Sequence, residues 1–354
     1  MLWFVMGVGE RITYLDTLKG VCLILVVLMH CGLLVETDCE LARHVNDALR
    51  TYRMPTYFFL SGVFFKTYSG LKEFARRKVN NILVPLLFFY ALNFVGWVLI
   101  STGIGVVTGN HDPIEWGALF DLFYRVDWRL RAASPLWFLF SLLWANLIFY
   151  ILKSHLGDIA VCLSVMLLAI AGYLIESAGV QIPWRFCSAL VGLPYFVLGY
   201  YVNRFGWIKC GTIPWLGLAQ FVIVGTIVLF IARDYAHIAS VSEFLYHRYV
   251  IPFASILSLF WLCKSFPRRV PVVTFLGRYS LIVLGTHMFL IIYISLIQMK
   301  AFPGVSESLW RSCMFVTVIA LELLIVPLLR DKFPQFTAQQ EFFAPNWRIS
   351  RPKK

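Results

Sequence analysis

Charge is scarce in this chain. Only 14% of its 354 residues are Asp, Glu, Lys or Arg, whereas a typical soluble domain carries about 25%. Too few charges are present to give every helix a solvated face. The composition is 60% hydrophobic, with a mean hydropathy of +0.75. The apolar residues also fall in long runs instead of the i, i+3, i+4 stripes of a soluble helix, and a helix that is apolar all round belongs in a bilayer or a large core.

Other absences remove whole classes of chemistry. None of the eight cysteines forms a C-x-x-C pair or a His/Cys group at metal spacing, and Cys22, Cys31, Cys162, Cys187, Cys263 and Cys313 lie inside apolar runs. Neither zinc nor structural disulfides are expected, since buried Cys usually behaves as a small hydrophobe. No Gly-Lys dipeptide occurs, which excludes a Walker A loop. There is no Gly-x-Ser-x-Gly elbow, and none of the seven histidines is followed five residues later by Asp, which disfavours the soluble glycerolipid acyltransferases. Met1–Gly9 is apolar but short and meets Glu10 and Arg11, so it does not read as a cleavable signal.

What is present is a series of apolar stretches. A bilayer core of about 30 Å needs roughly 20 apolar residues per helix. Candidate spans are 17–35, 54–68, 80–101, 135–152, 157–176, 186–203, 213–232, 246–263, 275–299 and 310–329. The expected fold is therefore an all-α integral membrane protein of about ten transmembrane helices. With both termini on one side, that side receives most of the 31 Lys and Arg residues; the positive-inside rule makes it cytoplasmic. Residues 1–16 then form a short cytoplasmic N-terminus, 17–330 a single transmembrane domain and 331–354 a basic cytoplasmic tail. The net charge of +12 follows from this topology, and no nucleic-acid partner is expected because the charges lie in short loops at one face. One subset of them also suits an anionic cytosolic substrate.

Two connecting segments have amphipathic spacing. Residues 40–52 and 113–126 read as interfacial helices on the outer face, the second with Trp116. Aromatic residues there serve either as membrane-belt anchors or as a platform for a sugar.

The most informative stretch runs from Tyr14 to His30. Asp16 suits an N-cap of the first helix. Lys19 and His30 are separated by three helical turns, so they share one face about 16 Å apart along the axis. An ionisable group placed deep in a membrane is a functional candidate by default, and neutral imidazole is suited to take a proton from a hydroxyl near neutral pH. The alternative for His30 is a packing histidine hydrogen-bonded to a neighbouring helix.

Further stretches stand in order along the chain: Arg53-Met-Pro-Thr-Tyr-Phe-Phe-Leu-Ser61-Gly, the basic run Arg76-Arg77-Lys78 ahead of Pro85, Pro135-Leu-Trp137-Phe-Leu, and Tyr279-Ser280-Leu ending at His287. Together with Asp16, Lys19 and His30 they make the chain resemble acyltransferase family 3, the membrane-bound bacterial O-acyltransferases, in particular its fucose 4-O-acetylase and exopolysaccharide acetyltransferase branch. The resemblance spans about residues 12–330. Lys19 stands where the family more often has Arg, which replaces a forked phosphate grip by a point charge, and Asn80 interrupts the family's basic pair in the second loop.

The resemblance implies a short acyl group, acetyl by default, carried by coenzyme A as a co-substrate with no bound cofactor. The acceptor it implies is a sugar hydroxyl of a bacterial exopolysaccharide or other envelope glycan, free or lipid-linked, at the inner membrane. Lys19, Arg76, Arg77 and Lys78 are the candidate phosphate contacts, because a polyanionic nucleotide suits a basic loop. His30 is the candidate general base. Asp16, Glu322, Ser61 and His287 are candidate catalytic supports, each also readable as a packing residue. Arg53, Trp137 and Trp116 are acceptor-side candidates. The rival from another class is a proton-coupled transporter or flippase for a lipid-linked glycan, using His30 and Glu322. Against it, no repeat-related pair of broken helices is seen.

Overall fold

The computed structural model describes residues 12–35, 39–66, 68–108, 114–124, 129–232, 238, 240–268, 270–301 and 304–343. The ends of the N-terminal segment and basic tail, residues 1–11 and 344–354, lie outside them. Among the described residues the chain is all helical, with no strand. The main helices are α1 (Thr13–His30), α2 (Glu40–Arg50), α3 (Arg53–Val63), α4 (Leu71–Lys78), α5 (Val84–Thr108), α6 (Trp137–His155), α7 (Asp158–Ser177), α8 (Phe186–Arg204), α9 (Pro214–Ile231), α10 (Ile251–Ser265), α11 (Pro271–Arg278), α12 (Ser280–Ala301) and α13 (Glu307–Lys332). A π turn, Val79–Leu83, joins α4 to α5, and Val241–Leu245 followed by a second π turn, Tyr246–Val250, leads into α10.

Among the described residues, eight helical stretches are long and apolar enough to cross a membrane. Three expected spans differ in form. The stretch 54–68 becomes the 11-residue α3, about 16 Å long and too short to cross about 30 Å of hydrocarbon. Residues 246–263 start in a π turn, and 275–299 is divided at Tyr279 into α11 and α12. The outward faces confirm the lipid setting. Ile159, Leu163 and Leu167 on α7, and Trp215 and Phe230 on α9, are broadly exposed, and contiguous apolar surface of this kind needs a non-aqueous partner. This is a multi-pass membrane protein.

Glycines set the closest crossings. A Cβ on Gly62 of α3 would collide with the Phe196 carbonyl of α8, and one on Gly199 of α8 with the Phe59 carbonyl of α3. The same reciprocity joins α1 to α11, where Gly20 faces the Val273 carbonyl and Gly277 faces that of Asp16. Lipid gives no hydrophobic force between helices, so close backbone approach over small residues is a main source of association. The first crossing fixes α3 against α8, and the second fixes α11 against α1 and so helps to position the residues that α1 carries.

The segment after α13 folds back on the bundle. Phe336 stacks on Phe88 at 5.2 Å, and Asn80 exchanges hydrogen bonds with the backbone of Phe343 at 2.7 and 3.0 Å. The beginning of the basic tail is thus docked against the α4–α5 junction.

Candidate active site

Helix α1 begins at Thr13, so Asp16 is buried in its first turn and is not its N-cap. The helix ends at His30, five residues before the expected limit of the span. The imidazole therefore sits at a helix end, partly buried, and not half-way along a spanning segment. It makes no hydrogen bond to another described residue. Its neighbour is His287 of α12, whose ring centre is 5.4 Å away.

Two cavities meet beside this ring. One is narrow, with about 70 Å³ of free space, and is lined by Lys19, Tyr57, Ser61, Lys78 and Asn146 among mostly apolar side chains. The other is an open cleft of about 640 Å³ containing His30, Arg53 and Trp137. Val26 and Met54 line both, so the narrow cavity runs along α1 from Lys19 and abuts the cleft one helical turn short of His30.

The narrow cavity is lined by two buried lysines. Lys19 is 5% exposed and Lys78 3%. Lys19 Nζ lies 4.6 Å from the centre of the Phe64 ring, and Lys78 Nζ is ringed by Phe65, Tyr68 and Phe74 at 5.4–5.6 Å. Aromatic faces attract a cation through their quadrupole, and these rings pack about both side chains. Burial pushes the Tyr68 phenol up to about 12, leaving that ring uncharged beside Lys78. Arg76 and Arg77 are placed differently. Arg76 bonds Glu341 at 2.5 Å and Arg77 bonds Glu73 at 2.8 Å; neither lines the cavity.

The remaining candidates separate in the same way. Ser61 lines the narrow cavity. His287 is fully buried, with Nδ1 2.6 Å from the Val283 carbonyl. That bond requires the proton on Nδ1 and leaves Nε2 a lone pair, with no partner of its own. Glu322 is also fully buried, but its Oε1 accepts from Thr286 at 2.7 Å; it pairs with the residue before His287 and lines neither cavity. Asp16 lies at the α1–α11 crossing, also away from both. Trp137 forms cleft wall beneath Arg185, whose guanidinium lies 5.9 Å from the ring centre. Trp116 is 63% exposed and outside the cleft. Its segment is a short 3-10 helix, Trp116–Leu119, and one helical turn, Asp121–Tyr124. Of the expected amphipathic helix over 113–126, residues 113, 125 and 126 lie outside the described residues, and 114–124 form these two short pieces in place of one helix; Arg129 binds the Asp121 carboxylate at 2.7–3.2 Å through backbone and side chain.

The chain matches the model of the acyltransferase domain of acyltransferase family 3 over residues 12–326. It belongs to acyltransferase family 3. No curated protein and no solved structure matches it. As a membrane acyltransferase it needs a path for a donor and a place for an acceptor, and the two abutting cavities supply spaces of different shape. Sequence reasoning missed several residues of the acyltransferase's cavities. Tyr57 donates to the Lys19 carbonyl at 2.9 Å. Asn146 is buried, its amide nitrogen bonded to the Leu142 carbonyl at 2.7 Å while its Oδ1 has no partner. Arg50, Arg185, Arg248 and Glu176 all line the cleft. A polar residue inside an apolar run, such as Asn146, was a signal available in the sequence; the convergence of distant arginines was not.

Proposed function

We propose that this acyltransferase moves a short acyl group, acetyl by family default, from acyl-coenzyme A to a sugar hydroxyl of a bacterial envelope glycan such as an exopolysaccharide. The observation that carries this reading is the meeting of a narrow cavity lined by buried lysines with a wide cleft at His30. A thin pantetheine chain matches the first and a saccharide only the second. With the Lys19–Lys78 end cytoplasmic, as the basic loops favour, the nucleotide phosphates of the donor rest near Lys19 and Lys78, and Arg76 and Arg77 add charge at the rim. The protein then lies in the bacterial inner membrane.

His30 is the general base. The sugar hydroxyl oxygen attacks the thioester carbonyl carbon while the imidazole takes the hydroxyl proton. As the tetrahedral intermediate collapses the C–S bond breaks, and the imidazolium returns the proton to the departing sulfur, giving an O-acyl sugar and free coenzyme A. Transfer is direct, because no described Ser or Cys is hydrogen-bonded to His30. Ser61 and Asn146 line the donor cavity and serve as polar contacts along the pantetheine. A carrier is less well supported, since the sequence has no repeat-related pair of broken helices.

The test uses the purified chain in lipid, labelled acetyl-coenzyme A and envelope glycan. Acceptor-dependent release of coenzyme A, with label recovered on the glycan, is the expected result. Movement of glycan across the membrane with no free coenzyme A would establish the carrier instead.

A further inference from the structure

The cleft beside His30 carries more positive charge than acyl transfer requires. Arg50, Arg53, Arg185 and Arg248 all line it, Arg50 bridged to Asp47 at 3.6 Å, and Glu176 is the one carboxylate among its lining residues. They come from four places in the chain: the end of α2, the start of α3, the turn before α8 and the π turn before α10. Connectivity puts this end opposite Lys19 and Lys78. The positive-inside rule therefore accounts for the basic residues of the other face and not for these.

Local structure aims several of them. Trp184 and Arg185 have φ of 59° and 52°, a left-handed backbone that side chains with a Cβ rarely adopt and that persists only when its surroundings enforce it. Trp184 stacks on Phe140 at 6.1 Å and Trp144 at 6.4 Å, and the Ser141 hydroxyl donates to the Arg185 carbonyl at 3.1 Å. The result holds the Arg185 guanidinium over Trp137. Arg248 sits in a π turn, a feature frequent at functional sites, and its carbonyl accepts from Tyr195 Oη. Arg53 is buried and donates to both oxygens of Asn46 at 2.5 and 2.7 Å. Several guanidinium groups gathered in one cleft repel one another, and an oxyanion between them relieves that repulsion with charge-assisted, forked hydrogen bonds.

We infer that the acceptor is anionic, with a carboxylate or phosphate close to the reacting hydroxyl that docks on Arg185 and Arg248 at the cleft wall. This rests on the transferase reading above and names the class of acceptor that reading leaves open. The oxyanion has two sources, an acidic sugar in the glycan or the diphosphate of a lipid carrier.

The experiment uses the full chain in lipid nanodiscs, acetyl-coenzyme A, and methyl glycosides matched except for a hydroxymethyl, carboxylate or carboxamide group. A polyprenyl-diphosphate-linked neutral sugar is the fourth acceptor. A charged hydrogen bond changes affinity roughly ten- to hundred-fold, so kcat/KM for the carboxylate glycoside or the diphosphate-linked sugar exceeds that of the neutral pair by about ten-fold or more. A preference confined to the first identifies an acidic sugar, and one confined to the second identifies the carrier phosphate. Arg185→Gln and Arg248→Gln shrink the preference and leave the KM for acetyl-coenzyme A unchanged. Equal turnover of charged and neutral acceptors by the wild-type protein overturns the inference while the transferase reading stands. So does a rise in the acetyl-coenzyme A KM of the Arg variants with acceptor preference intact, since the cleft would then hold the donor's nucleotide. No coenzyme A release with any acceptor brings down the transferase reading and this inference with it.

Discussion

The rings of His30 and His287 lie 5.4 Å apart, centre to centre, and the Nδ1 of His287 is already committed to the Val283 carbonyl. His287 thus keeps a lone pair on Nε2 beside the His30 ring, while His30 itself borders the cleft. A base that must accept a proton gains from a neighbour that fixes its ring and tautomer, as carboxylates and carbonyls do for other functional histidines.

His287→Phe keeps the ring volume and removes the lone pair. The expected outcome is a fall in kcat of about ten-fold, the scale of about 1.4 kcal/mol, from loss of the polar neighbour beside His30, together with a displaced pH–rate profile and an unchanged KM for acyl-coenzyme A. A purely structural role would lower the melting temperature and leave the pH profile of the surviving activity in place.

The two classes of basic residue on the donor side should behave differently. Lys78→Met and Lys19→Met are expected to raise the KM for acyl-coenzyme A by roughly ten-fold each, the scale of a lost charge-assisted contact. Arg76→Ala is expected to have a smaller effect on that KM and a larger one on stability, because Arg76 is joined to Glu341 at 2.5 Å and to the Phe343 carbonyl. Steady-state kinetics with varied donor, beside melting curves, checks the contrast. The reverse ranking would return the main phosphate grip to the arginines.

The α3–α8 crossing tolerates no side chain. Gly62→Ala and Gly199→Ala each force a methyl group into a backbone carbonyl, and overpacking of this kind costs about 1–3 kcal/mol or more. Both variants should melt lower in detergent than wild type, as followed by near-UV circular dichroism or dye-based thermal scans. Gly103→Ala is the control, since a Cβ there meets nothing, and it should leave the melting temperature within error.

The membrane class and most of the long helices were legible in the sequence, because apolar runs of the right length have few other solutions. Lys19 and His30 were legible as a pair for the same reason: helical periodicity puts them on one face, and the cavities do follow α1 from one toward the other. What escaped is tertiary. The Gly62–Gly199 crossing of α3 with α8 and the pairing of Arg76 with Glu341 each join residues far apart in the chain. Glu322 read equally well as a partner of His30 or of a polar neighbour, and the structure gives it Thr286. Trp116 had the right type for a sugar platform and the wrong place. The arginine cleft is built from four separated segments, with two residues in a left-handed backbone that no local pattern announces.

The role of His30 as proton acceptor is tested most directly by His30→Gln, which preserves size and polarity. Single-turnover transfer from labelled acetyl-coenzyme A to glycan should fall by at least the ~10²–10⁴-fold typical of a lost general base, while the variant still binds acetyl-coenzyme A with wild-type affinity. Transfer at the wild-type rate in that variant would contradict the account.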